Sequence, residues 1–199
     1  MPPTSKPHAG AKPNLGPKAG PANRRALIDA AREVFHDEGF AAPLSAVAKR
    51  AGVGQGSLYR HFPDRMSLAV AVFDENVTEL EALAARPDVT LDDLFDAIAQ
   101  QAIGSTAIID MIASDPADQR AVQLGTRVAA VADAIRSRAA AAGRMAPHIE
   151  TEDVMLAISM LAFALAQTPE ESRERVAARA RALFHTAFAP LANTEAPRP

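Results

Sequence analysis

The chain of 199 residues has no cysteine and no tryptophan, and Tyr59 is its single tyrosine. Without cysteine there is no disulfide framework, zinc-thiolate site or thiol nucleophile, and nothing points to an oxidising compartment. Its most apolar run, Val154 to Ala166, is too short for the roughly 20 residues that span a bilayer and is interrupted by Ser159. No membrane association is expected. The five histidines are scattered, with no pair at metal-ligand spacing on one helix, and "HIETED" (148–153) reads as an acidic helix start. Gly52, Gly54 and Gly56 lack the following lysine of a phosphate-binding loop, and no nucleophile elbow occurs. An enzyme is therefore not expected, and neither is a metal or cofactor. The opening residues carry basic groups without an apolar segment, so no signal peptide is expected and a cytoplasmic location is.

An apolar content of 48% is ordinary for a chain that buries a core. The net charge of −3 conceals an asymmetry: through Arg65 there are ten basic residues against five acidic ones, which leaves +5 there and −8 in the remainder. Such a split suggests a polyanion-binding module joined to a second unit, or else a basic tail that merely solubilises. Residues 1–22 are rich in Pro, Gly and Lys and hold too few large apolar side chains to offset ordering entropy, which predicts a disordered basic arm.

Helical periodicity begins at Asn23, where Leu27, Ala31, Val34 and Phe35 share a face, and Gly39 closes a first helix near 23–38. A short second helix carries Leu44, Val47, Ala48 and Ala51 and ends at Gly52. A third runs from about Gln55 to Arg60. "FPDR" then offers Asp64 as an N-cap for a longer helix to about Ala84. Thr90 is predicted to cap the next helix, and Asp115 with Pro116 to open one reaching about Ala142. Thr151 is predicted to cap a sixteen-residue apolar stretch, and Thr168 with Glu171 to form a capping box for a last helix to about Ala189. No strand alternation competes. The fold class is all-α, without internal repeats.

Two short helices joined by "AGVG" fit a helix-turn-helix, in which the first helix supports and the second enters a DNA major groove. Ala48 permits close helix approach, Gly52 supplies a left-handed residue at the turn, and Val53 and Leu58 point to the core. Gly54 and Gly56 bare the backbone of the face that would meet a duplex. Gln55, Ser57, Arg60 and His61 could reach base edges or phosphates, and Tyr59 and Arg65 could contact phosphates. Arg24, Arg25 and Lys49 could add to the electrostatic attraction. Spacing alone also fits a simple turn.

The stretch "LSAVAKRAGVGQGSLYRHFPDRMSL", preceded by "NRRALIDAAREVFHDEGF", resembles the DNA-binding domain of the TetR family of bacterial transcriptional regulators. The resemblance covers about 23–68. Pro43 stands where Thr is usual, Gly54 for Ser, Ser57 for Thr, Arg65 for Lys and Met66 for Glu. Ser57 and Arg65 keep the chemistry, whereas Gly54 removes a hydroxyl cap from the reading helix. The residues expected to contact DNA are Lys49, Gln55, Gly56, Ser57, Tyr59, Arg60, His61 and Arg65. The resemblance implies a homodimer on a palindromic double-stranded DNA operator, most often a repressor released by a small-molecule effector. The domains expected are the arm (1–22), a three-helix helix-turn-helix domain (23–66), a larger helical ligand-binding and dimerisation domain (67–190) and a disordered tail (191–199).

In the larger domain Leu124, Val128, Val131 and Ile135 form a core stripe. Gln123 and Arg127 beside it offer a polar anchor to an acidic ligand, or are solvated. Phe95, Ile108, Met111, Ile112, Met155 and Phe163 line an effector cavity or are plain core. The helix from 151 is apolar nearly all round and must be buried on more than one face. Pairing through the last two helices is what the resemblance implies, with Ile158, Leu161, Leu165, Leu183, Phe184 and Phe188 as the interface. A different reading is an all-α protein-interaction adaptor that keeps the motif as scaffold.

Overall fold

In a computed structural model, which describes residues 20–39, 41–114 and 117–190 (103–114 as backbone only), the apolar periodicities become eight helices. These are α1 (Gly20–Glu38), α2 (Leu44–Ala51), α3 (Gln55–His61), α4 (Arg65–Ala84), α5 (Leu91–Ser114), α6 (Gln119–Ala141), α7 (Thr151–Ala166) and α8 (Glu170–Phe188). No strand occurs among the described residues. Residues 20–22, predicted to belong to the arm, form the first turn of α1, where Pro21 costs no hydrogen bond. The rest of the arm, Asp115, Pro116 and the tail lie outside the described residues.

Two cores form. Leu27, Ile28, Val34 and Phe35 of α1 meet Val47 and Ala48 of α2, Leu58 of α3, and Leu68 and Val72 of α4. Val77 and Leu80, farther along α4, join Leu94 and Phe95 of α5, Val131 and Ile135 of α6, and Val154, Leu161 and Leu165 of α7 in the second. Phe73 packs against both. One helix therefore threads the two cores, so a rotation of α4 is felt by each.

Local chemistry starts these helices, not always at the predicted residue. Asp64 caps α4 as expected: its Oδ1 accepts the Ser67 N–H at 2.5 Å, and the Ser67 hydroxyl receives the Asp64 N–H at 3.3 Å. Thr90 and Asp93 make the same reciprocal pair ahead of α5, at 3.2 and 2.8 Å. The cap of α6 is Asp118, three residues beyond the predicted Asp115, accepting the Arg120 N–H at 2.8 Å. That N–H and the Arg120 guanidinium, the larger influence, draw the Asp118 pKa down to about 2.

Thr151 does not cap α7. Glu150 holds that position, its N–H donating to Asp153 Oδ2 at 2.8 Å, while the Thr151 hydroxyl donates to Asp133 on α6 at 2.6 Å. Thr168 likewise turns back and donates to Ala164 O at 2.6 Å, and α8 starts after Pro169 without a side-chain cap. In both places a hydroxyl found a partner outside the helix it was expected to start, a competition open to any Ser or Thr near a chain reversal.

Candidate functional site

The turn between α2 and α3 is set by Gly52, at φ 66° and ψ 26°, a conformation that opposes a Cβ. Its N–H donates to Lys49 O at 3.2 Å and the Val53 N–H to Ala48 O at 3.0 Å, so the carbonyls ending α2 are satisfied. Ala48 is buried where α2 meets α1. Leu58 and Phe62, four residues apart, anchor α3 on the core. The opposite face of α3 holds Gln55, Gly56, Tyr59 and Arg60, all exposed, with Ser57 and His61 half-buried at its edges.

A Cβ added at Gly54 or Gly56 would meet nothing within 4 Å, so packing inside the protomer does not require these glycines. Their bareness acts only toward whatever approaches from outside. Arg60 Nε donates to Gly56 O at 3.2 Å, which lays the side chain along α3. Arg24 stacks its guanidinium 5.4 Å from the centre of the Phe62 ring, bringing the start of α1 beside the end of α3. Lys49 is exposed on α2. Arg50 instead binds Glu33 and Asp37 of α1 at 2.8 and 3.6 Å and neutralises acids on this side of the domain.

Arg65 has a partner that the sequence did not reveal. Its Nη1 donates to Ala42 O at 2.6 Å and ties α4 to the loop before α2. Asp64 is engaged from the second unit: Arg120 Nη1 of α6 lies 3.3 Å from its Oδ1. The Ser67 N–H, and to a smaller degree the Arg120 charge, hold the Asp64 carboxyl below its ordinary pKa.

In the C-terminal unit Arg127 is a clamp. It pairs with Glu81 of α4 at 2.7 Å through Nε and 2.9 Å through Nη2, binds Asp74, and donates to Thr78 at 3.2 Å. Gln123 is exposed. Neither borders the open cavity of about 350 Å³ among the described residues, which is lined by Thr90, Leu91, Asp92, Phe95, Arg144, Met145, His185 and Phe188 among others. Of the expected effector residues whose side chains are described, Phe95 alone lines it. Met155 is half-buried against the core and Phe163 is exposed. The side chains of Ile108, Met111 and Ile112 lie outside the described residues. Thr90, Asp92, Arg144 and His185 converge from three distant segments, and no periodicity marks them in the sequence.

The expected dimerisation set divides. Ile158, Leu161 and Leu165 are buried inside the protomer's own core at 8%, 0% and 0% exposure, so they are not available to a partner. They continue the stripe of Val154 that faces inward. Phe184 and Phe188 are half-buried against Phe95, with ring centres 5.1 and 6.2 Å from it. Leu183 stays exposed at 61%. The free apolar stripe of α7 is Leu156, Met160 and Phe163, at 60%, 55% and 65% exposure and spaced four and three residues apart. No helix among the described residues is long and apolar enough to cross a membrane.

A short helix presented by a glycine turn, bare of packing on its outer face and ringed by Arg24, Lys49 and Arg60, defines a helix-turn-helix protein. Residues 27–72 match the family model described as bacterial regulatory proteins, tetR family. The A-factor receptor protein of Streptomyces griseus is 40% identical over 58 residues, 29% of this chain and 21% of that protein. The transcriptional activator FasR of Mycolicibacterium smegmatis is 43% identical over 58 residues, 29% of this chain and 26% of its own length. The chain thus spans about a fifth to a quarter of these relatives. The crystal structure of the TetR transcriptional regulator SCO0520 from Streptomyces coelicolor superposes with a TM-score of 0.64 at 25% identity, covering 85% of this chain and 99% of that one. The helix-turn-helix unit, residues 27–72, is that of the TetR family, and the described helices share the fold of a TetR regulator.

Proposed function

We propose that the protein is a homodimeric, cytoplasmic repressor that binds a palindromic operator and is released by a small molecule. The observation that carries this reading is the outer face of α3, where Gln55, Gly56, Tyr59 and Arg60 are exposed together and no packing within the protomer explains the glycines. In this reading Gln55 and Arg60 reach base edges. Lys49, Ser57, Tyr59 and His61 position the helix on phosphates, with the Gly56 backbone close to one. Arg65 supports them and holds α4 on the loop before α2 through Ala42. Residues 23–66 are the reading domain and 67–190 the effector and dimerisation domain.

Two copies pair across Leu156, Met160 and Phe163 of α7 and Leu183 of α8. Four large apolar side chains more than half exposed are otherwise a solubility liability. Coupling runs through α4 and α6. Arg120 holds the Asp64 cap at the start of α4, and Arg127 grips Asp74, Thr78 and Glu81 along it. A ligand that displaces α6 therefore tilts α4 and changes the spacing of the two α3 helices, provided that it binds the two states unequally.

Selection of bound duplexes from a genomic pool at two salt concentrations tests the reading. The expected result is an enriched palindrome whose affinity falls steeply with salt. Absence of enrichment at either salt removes the regulator reading and leaves the motif as the scaffold of an interaction adaptor. A reporter gene downstream of the enriched site then decides the direction of control.

A further inference from the structure

The open cavity stands apart from the helix-turn-helix. Asn76, midway along α4, is where three helices meet: Arg32 of α1 donates to its Oδ1 at 3.0 Å, and Gln101 of α5 to its carbonyl at 3.1 Å. The cavity lies at the other end of this stretch of α5, at Leu91, Asp92 and Phe95. Ten helical residues separate Leu91 from Gln101, about 15 Å. The cavity therefore occupies the end of the effector domain remote from α3, between the start of α5, the turn after α6 and the end of α8.

Its floor is apolar: Leu91, Phe95 and Met145 are buried, and Phe188 closes one side. The Ala146 N–H donates to Phe188 O at 2.9 Å and fixes the end of α8 against the turn after α6. Its rim is polar, and the groups there differ in what they have left to offer. Asp92 is held by His185 Nδ1 at 2.8 Å. The Thr90 hydroxyl donates to Asp93 Oδ2 at 2.7 Å. Arg144 is exposed, and among the described residues its guanidinium has no hydrogen-bond or ion-pair partner. Beside a wall of Phe and Met, a planar cation with its donors unspent selects a ligand that joins an apolar body to a carboxylate.

We infer that this cavity is a binding site for a small amphipathic monocarboxylate, with the carboxylate on Arg144 and the apolar body over Phe95, Met145 and Phe188. A volume of about 350 Å³ falls at the small end of ligand sites, which suits an acid of about eight carbons better than a polycyclic one. A bound acid bridges α5, the turn after α6 and α8 at once. The inference gives a ligand class to the effector domain proposed above, but binding itself involves no DNA.

The test uses the full chain with sodium octanoate as probe and 1-octanol as its uncharged counterpart, followed by calorimetry and by the methyl resonances of the methionines. Octanoate is expected to shift Met145 while leaving Met66 and Met160 in place. Arg144→Gln, an exposed substitution that leaves the core intact, is expected to weaken octanoate at least tenfold and leave octanol unchanged. Equal octanoate affinity in Arg144→Gln, or saturation without a shift of Met145, would overturn the assignment. Octanoate binding on Arg144 in a protein that selects no duplex would remove the regulator reading and keep this one. Operator binding without octanoate binding would do the reverse.

Discussion

Replacing Asp64 by Ala removes two interactions of different kind from the junction between the two cores. The first is the cap. Asp64 Oδ1 accepts the Ser67 N–H at 2.5 Å, and loss of such an acceptor costs about 0.5–2 kcal/mol. The second is the pair with Arg120 at 3.3 Å, whose side chains are 55% and 40% exposed, so that solvent screening limits it to about 0.2–1 kcal/mol. The sum, about 0.7–3 kcal/mol, corresponds to a fall in Tm of roughly 1–12 °C for a chain of this size. It appears in urea melts as a lower midpoint with an unchanged slope. Asp64→Asn keeps an acceptor for the cap and removes only the charge, and is expected to lose less than about 1 kcal/mol.

Acidity separates the two states further. The folded pKa of Asp64 lies below its ordinary 3.8, so its contribution is complete above the unfolded value and is lost as pH falls through the folded one. The gap between wild type and Asp64→Ala is therefore constant from neutral pH to about 5 and closes below about 4. Equal damage from Ala and Asn, or a gap that widens on acidification, would refute this account.

Phe163→Glu places a charge in the exposed stripe of α7 and is expected to convert dimer to monomer by light scattering with the helical signal retained. Leu161→Ala, fully buried two residues away, is expected to leave the assembly state intact and lower stability by about 2–5 kcal/mol in denaturant melts. Gly52→Ala meets no neighbour yet must adopt a φ of 66°, so a loss of about 1–2 kcal/mol is expected from backbone strain alone, whereas Gly54→Ser at the start of α3 is expected to gain a few tenths of a kcal/mol. On an operator identified by selection, Gln55→Ala should cost about 1–3 kcal/mol and relax preference at one position, while Tyr59→Phe should weaken all duplexes alike in titrations at fixed salt.

Much of the N-terminal helix-turn-helix unit was legible because its information is local. Glycine at 52, the apolar residue at 58, and aspartate before "RMSL" each act within a turn or two of their own position, and the positions of α2, α3 and α4 follow from them. The exposed chemistry of α3 was legible for the same reason: a seven-residue helix with one apolar side leaves the other to solvent. The match to the TetR family model lies in this same stretch.

Tertiary structure decided what depended on partners far along the chain. Periodicity shows that α7 is apolar all round, but only the packing of α5 against it decides that Ile158, Leu161 and Leu165 face inward and Leu156, Met160 and Phe163 outward. Thr151 and Thr168 carry the composition of caps, and their hydroxyls went instead to Asp133 and Ala164. Arg127, Arg120 and Arg65 look alike in sequence, as basic residues near helix surfaces. Their partners, 46, 56 and 23 residues away, make the first two clamps on α4 and the third a tie to the loop before α2. The sequence by itself determined which segments are helical and which short helix leaves a polar face to solvent, since both follow from side-chain spacing. Which apolar face of α7 is left exposed, which arginines are spent inside the molecule and where a cavity opens were decided by the packing of helices against one another, because burial and pairing are properties of neighbours in space.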